Sequence, residues 1–137
     1  MNRLFTFIAT ALIFCAGNQT KVKAETMDKE IKLVQDWDKT FPKSEKVKHE
    51  KVTFKTQYGL TLAADLYIPK NAEGKLPAIA VSGPFGAVKE QCSGLYAQTM
   101  AERGFITIAF DPSFTGESSG EPRRTASPDI NTEDFLA

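Results

Sequence analysis

The chain has 137 residues, with 17 Lys and Arg against 17 Asp and Glu, nine glycines, seven prolines, two cysteines and one histidine. That length suits about one small domain. The even charge argues against a dedicated nucleic-acid surface or a basic membrane patch, each of which needs a local excess of cations.

Residues 1–24 read as a secretory signal. Arg3 supplies a positive start, Leu4 to Ala16 is almost wholly apolar, and Val22-Lys23-Ala24 offers small residues to a signal peptidase. A membrane span needs roughly 20 apolar residues, so no permanent anchor is expected, and the protein is expected to be exported to a periplasmic or extracellular space. Phe14 stands before Cys15 where a lipid-attachment signal wants a small residue. Cleavage after Ala24 leaves Cys92 alone, which excludes an internal disulfide and predicts a small buried residue.

Residues 25–45 read as an amphipathic lead-in helix and linker: Met27, Ile31, Val34, Trp37 and Phe41 recur at helical spacing, and Pro42 closes the run. Their apolar stripe is read as packing rather than a ligand site. From residue 46 the pattern becomes that of an α/β domain. Alternation from Val47 to Thr56, then Gln57-Tyr58-Gly59, then a second run from Leu60 to Tyr67 predict an antiparallel hairpin. His49, the sole histidine, falls in its first strand with no acidic or nucleophilic motif beside it, and reads as a surface or structural residue. The continuous apolar run Leu76 to Val81 predicts a strand covered on both faces, and the turn Ser82-Gly83-Pro84-Phe85-Gly86-Ala87 ends it. A helix from about Gln91 to Arg103, apolar at Leu95, Met100 and Ala101 and closed by Gly104, leads to a second buried strand from Phe105 to Phe110. Strand, helix and strand in this order predict a parallel βαβ unit.

The loop that follows contains Gly116-Glu117-Ser118-Ser119-Gly120, which satisfies G-x-S-x-G. In serine hydrolases that pattern marks a nucleophile only where a strand turns sharply into a helix. Ser118 lies well beyond Phe110, Pro122 disfavours a packed helix after it, and no histidine follows it, as the serine, acid, histidine order requires. Ser118 is therefore the minority candidate for a nucleophile, against a structural reading as a polar loop residue.

The hairpin, the G-P-F-G turn, the helix ending A-E-R-G-F, the next strand and the D-x-x-x-x-G-x-S-x-G-x-P loop together resemble the N-terminal part of the α/β-hydrolase fold, in the bacterial group that includes dienelactone-hydrolase-like and acyl-peptidase-like enzymes. The resemblance covers residues 47–137. It implies a serine or cysteine hydrolase acting on an ester, lactone or amide, with a small-molecule or peptide acyl substrate, and it makes GPFGAVKEQ the turn that helps form the oxyanion hole. Backbone N–H groups there would stabilise a tetrahedral oxyanion. Phe85 and Gly86 are the candidate donors, because Pro84 has no N–H, and Ser82 stands where the family often has histidine.

The nucleophile elbow, the acid and the histidine that the family places later are not in this chain. Near its end, Asn131 or Thr132 is expected to cap a new helix. The expectation is thus an α/β hydrolase sheet truncated before the nucleophile elbow, and an inactive product. The competing class is a non-catalytic exported binding module with a hydrolase-derived fold. No cofactor or metal is expected: no G-x-G-x-x-G or Walker pattern occurs, and one histidine with one mature cysteine forms no ligand cluster. The sequence leaves the oligomeric state open.

Overall fold

The computed structural model describes residues 31–137. The signal segment, Cys15 and the start of the lead-in segment lie outside them. Four strands, β1 (Val47–Lys55), β2 (Thr61–Pro69), β3 (Ala78–Ser82) and β4 (Ile106–Phe110), form one sheet in the order β1-β2-β4-β3. Two helices complete the fold, α1 (Cys92–Ala101) between β3 and β4, and α2 (Pro128–Asp134) near the end.

The hairpin forms as its alternation predicts. Val47 pairs with Pro69 and Lys55 with Thr61, and Gly59, at φ 78, supplies the left-handed residue in the turn between them. β4 then adds antiparallel to β2, while β3 adds parallel to β4 with Ala78 opposite Ile106 and Ser82 opposite Phe110. This is the parallel βαβ arrangement expected from strand, helix, strand.

Alternation along β2 and β4 sends side chains to two cores. Tyr67 and Ala109 face α1, where they pack with Val47, Ala97 and Ala101 and with the partly buried Trp37 and Val81. Leu62, Ala64 and Phe110 form the other core, flanked by Val52, Phe54 and Ile108. Phe135, just after α2, meets Phe110 edge to face at 4.8 Å. Burial of Leu62 or Phe110 stabilises the fold by about 1.5–3 kcal/mol each.

Several expectations are corrected. The described part of the lead-in segment, residues 31–45, contains no helix. It is a strap held by side chains: the Trp37 indole donates to the Phe41 carbonyl (2.8 Å), Trp37 meets His49 edge to face, and the Thr40 amide donates to the Glu90 carbonyl (3.0 Å). Tertiary partners override the helical spacing here, as they commonly override weak local propensity.

β3 is not covered on both faces. Among the described residues β4 is its one strand neighbour, and Ala78 and Ala80 are exposed. Helix α1 presents small residues to the sheet rather than the expected Leu95, which is exposed; Ser93, Gly94, Ala97, Gln98 and Ala101 are the buried positions. A close approach dictates this, because a Cβ at Gly94 would collide with the Lys89 carbonyl and crowd the Phe41 ring at 3.1 Å. Cys92, the first residue of α1, is exposed, not buried, since it sits on the outer side of that first turn. Finally, α2 starts at Pro128 after Ser127, earlier than Asn131 or Thr132; proline is pre-shaped for a first helical turn.

Candidate active site

The carboxyl ends of the parallel strands β3 and β4 place two loops side by side. The first, after β3, is a β-turn in which the Ala87 amide donates to the Pro84 carbonyl at 3.0 Å and Gly86 has φ 85. A positive φ at the third position is the type II signature, which glycine adopts without strain. Among the described residues the Phe85 and Gly86 amides donate to no acceptor. The Phe85 side chain is 72% exposed. Between this turn and the second loop lies a cleft of about 280 Å³, lined among others by Ser82, Phe85, Gly86, Pro112, Thr115 and Asn131. Two unspent backbone donors at its wall are what stabilisation of a developing oxyanion requires.

The second loop follows β4 and is built the opposite way. Ser118 is 2% exposed. Its hydroxyl donates to the Asp111 carbonyl (2.7 Å) and accepts from the Ala63 amide (2.9 Å), so its hydrogen and one lone pair are engaged in tying the loop to β2. Ser119 Oγ accepts from Thr61, one bond further along the same strand. Ser113 donates to Asp134 at 2.6 Å and anchors α2. Arg123 is spent on the carbonyls of Gly116, Ser118 and Gly120.

Between the two loops runs a buried ionic chain. Lys89, fully buried, donates to Asp111 (2.8 Å) and Glu117 (2.7 Å) and pairs with Glu90 (2.6 Å). Asp111 also accepts from the backbone amides of Lys89 and Glu117. Lys51 on β1 reaches Glu117 (2.9 Å) and Asp38 (3.0 Å), and Lys39 joins Asp38 to Asp65. Burial alone would lower the Lys89 ammonium, but the Asp111 charge and the hydrogen bonds to Asp111, Glu117 and Glu90 outweigh it and hold Lys89 above the usual lysine range. Burial would raise Glu117, yet Lys89, the Val34 amide and Lys51 pull it below the usual glutamate range. For Asp38, burial is likewise outweighed by Lys39 and Lys51, which bring it down to about 2.

His49 belongs to the far end of this chain. Its Nε2 lies 2.7 Å from Asp65, and its ring packs between Trp37 and Tyr67. The structure thus brings Phe85 and Gly86 together at one cleft and places Ser118 beneath the neighbouring loop. Sequence reading assigns no role to Lys89, Asp111 or Glu117, whose partners are distant along the chain. Their one signal was lysine and glutamate inside otherwise apolar or glycine-rich turns. No group of side chains suited to a metal ion occurs among the described residues.

A hairpin leading into a parallel βαβ unit, with a donor turn at the carboxyl end of β3, is the N-terminal portion of an α/β-hydrolase. Residues 58–134, more than half the chain, match the family described as X-Pro dipeptidyl-peptidase (S15 family), and the chain belongs to that family. The uncharacterized protein PA2218 of Pseudomonas aeruginosa is 64% identical over 137 residues, covering 95% of this chain and 37% of that protein. Its crystal structure superposes with a TM-score of 0.76 at 73% identity, over 78% of this chain and 34% of that one. Thiohydrolase aneE of Aspergillus aculeatus is 34% identical over 93 residues, or 68% of this chain and 28% of its own length. The alpha/beta hydrolase GrgF from Penicillium sp. sh18 is 29% identical with a TM-score of 0.59, over 65% of this chain and 30% of that one. The chain therefore spans about a third of the length of the relatives it matches.

Proposed function

We propose that this chain forms the oxyanion-stabilising part of an acyl-transfer hydrolase, whose longer form cleaves an ester, lactone or amide bond through a serine or cysteine nucleophile with a histidine and an acid. The observation that carries this reading is the turn at Phe85 and Gly86, where two backbone N–H groups, unpaired among the described residues, belong to residues that line a cleft. The similarity to thiohydrolase aneE, a hydrolase by name, supports the same reading. By itself the chain is inactive, because the hydroxyl of Ser118 is bonded to Asp111 and Ala63 and not to the one histidine, whose ring bonds Asp65.

Joining this chain to the remaining part of PA2218 tests the reading. The joined protein is expected to turn over p-nitrophenyl esters and to take a fluorophosphonate label, and the 137-residue chain alone to do neither. In the joined protein Phe85→Pro deletes one N–H at a turn position that accepts proline, and is expected to lower kcat by about 10²–10³-fold if Phe85 is the donor. An unchanged kcat assigns the role to Gly86. Enzyme-like turnover by the chain alone would sink the proposal.

Export belongs to the same proposal. Residues 1–24 direct the chain out of the cytoplasm, and N-terminal sequencing of secreted material is expected to begin at Glu25. Recovery of an intact Met1 start from the cytoplasm would refute it.

A further inference from the structure

A second, wider cleft of about 610 Å³ shares Phe85, Gly86 and Thr115 with the first and is within the usual range for small-molecule sites. Phe85, Val88 and Phe114 give it apolar walls, and Arg123 and Arg124 are the charged residues that line it. The two arginines differ. Arg123 is bonded to three backbone carbonyls. The Arg124 guanidinium makes no hydrogen bond or ion pair among the described residues, although its backbone is firmly held.

That backbone holding is unusual. Arg124 has φ 61 and donates its amide to the Phe114 carbonyl at 2.8 Å; Phe114, at φ 70, donates to the Ser119 carbonyl at 2.8 Å. These are the two non-glycine residues with positive φ among those described, and they are bonded to each other. A left-handed backbone is costly for residues of this size and persists only where surrounding contacts enforce it. Gly120 makes room for the Phe114 ring in this arrangement, since a Cβ there would overlap it. The strain fixes where Phe114 and Arg124 stand in the cleft wall, while the five-donor fork of Arg124 stays unspent.

We propose that this cleft takes the far end of the acyl substrate, and that Arg124 binds a carboxylate carried there, so that the preferred substrates are acyl compounds with a negative group beyond a short apolar spacer. The inference rests on the oxyanion reading of the Phe85 turn, which forms a wall common to both clefts. Phe85, Val88 and Phe114 would pack the spacer. Arg124 would meet the carboxylate with two parallel N–H bonds, the geometry for which a guanidinium is shaped. No acidic residue lines the cleft to compete for it.

Binding tests this without requiring turnover. The isotope-labelled chain is titrated with monomethyl succinate and, separately, with uncharged dimethyl succinate, following backbone amide signals by NMR. Monomethyl succinate is expected to move the signals of Phe85, Gly86 and Gly116, with an affinity about tenfold above that of the diester, the scale of one charge-assisted contact. Arg124→Gln is expected to abolish that advantage and Arg124→Lys to keep part of it, while the remaining signals report that each variant is folded. Equal affinities for the two esters, an advantage that survives Arg124→Gln, or no shift at these residues with either ester would each overturn the proposal. Enzyme-like turnover by the chain alone, with carboxylate binding intact, would instead remove the proposed function and leave the anion site standing.

Discussion

The loops that follow β3 and β4 carry similar glycine-punctuated sequences and do opposite things. The first leaves Phe85 exposed, with the Phe85 and Gly86 amides unpaired among the described residues; the second buries Asp111, Ser113 and Ser118 and bonds their side chains internally. The serine that matches a nucleophile pattern is thus part of the scaffold, while the loop with no nucleophile brings the unengaged backbone donors to the cleft that both loops line. Motif letters describe which backbone shapes are affordable. Whether a side chain is free for chemistry depends on what the tertiary fold demands of it.

Removing the central cation of the scaffold tests that contrast most severely. Lys89→Met leaves the Asp111 carboxylate fully buried without its partner, and urea unfolding is expected to show a loss of about 3–5 kcal/mol. A loss under 1 kcal/mol would mean that the ionic chain does not hold the two loops together. Ser118→Ala comes next: it strands the Ala63 amide and frees the Asp111 carbonyl, at an expected cost of about 1–3 kcal/mol. Fluorophosphonate labelling should be absent before and after the change. Labelling of the unmutated chain that vanishes with Ser118→Ala would reverse the roles of the two loops.

Acid should weaken the scaffold in a defined window. Asp38 and Glu117 have folded-state pKa values below their ordinary 3.8 and 4.5, so their contribution is complete above those values. It is lost as pH falls toward about 2, where Asp38 takes its proton. Lys51 and Lys89 are raised above 10.5, so their contribution is complete below that pH and disappears only in stronger alkali. Thermal unfolding followed from pH 7 to 2 is expected to show a falling Tm that begins near pH 4.5, and a flat profile would show that these pairs contribute little. The smallest effect belongs to the exposed loop: Phe85→Pro should change stability by no more than about 0.5 kcal/mol, since it removes no buried contact.

Much of the frame was legible from side-chain period. The alternation from Val47 to Thr56 and the apolar run from Phe105 to Phe110 lie where strands form, because an extended backbone that buries a face leaves a period of two, or a continuous run, in the sequence. The strap at residues 31–45 was misread because Trp37 and Phe41 are four apart for a different reason: the indole caps the Phe41 carbonyl while both rings lean on each other. β3 was misread because its apolar composition says nothing about how many neighbours it has. The turn at Phe85 was visible from Pro84 and the glycines on either side, whose backbone preferences are local. Lys89, Asp111 and Glu117 were not, since pairing between a turn and a loop 22 and 28 residues away leaves no periodic trace. Arg124 was hidden for a related reason. Two adjacent arginines look alike in sequence, and the fold bonds Arg123 to three carbonyls while giving Arg124 no side-chain partner among the described residues.

The open margin of β3 has a consequence for how this chain behaves as a substance. Among the described residues no strand pairs with Ala78–Ser82 on the side away from β4, and Leu95, Phe135 and Leu136 are exposed as well. Such a margin is an adhesive template for any extended segment that aligns with it. Dilution should therefore preserve the chain, and crowding it with its own copies should drive it into aggregates seeded along that strand.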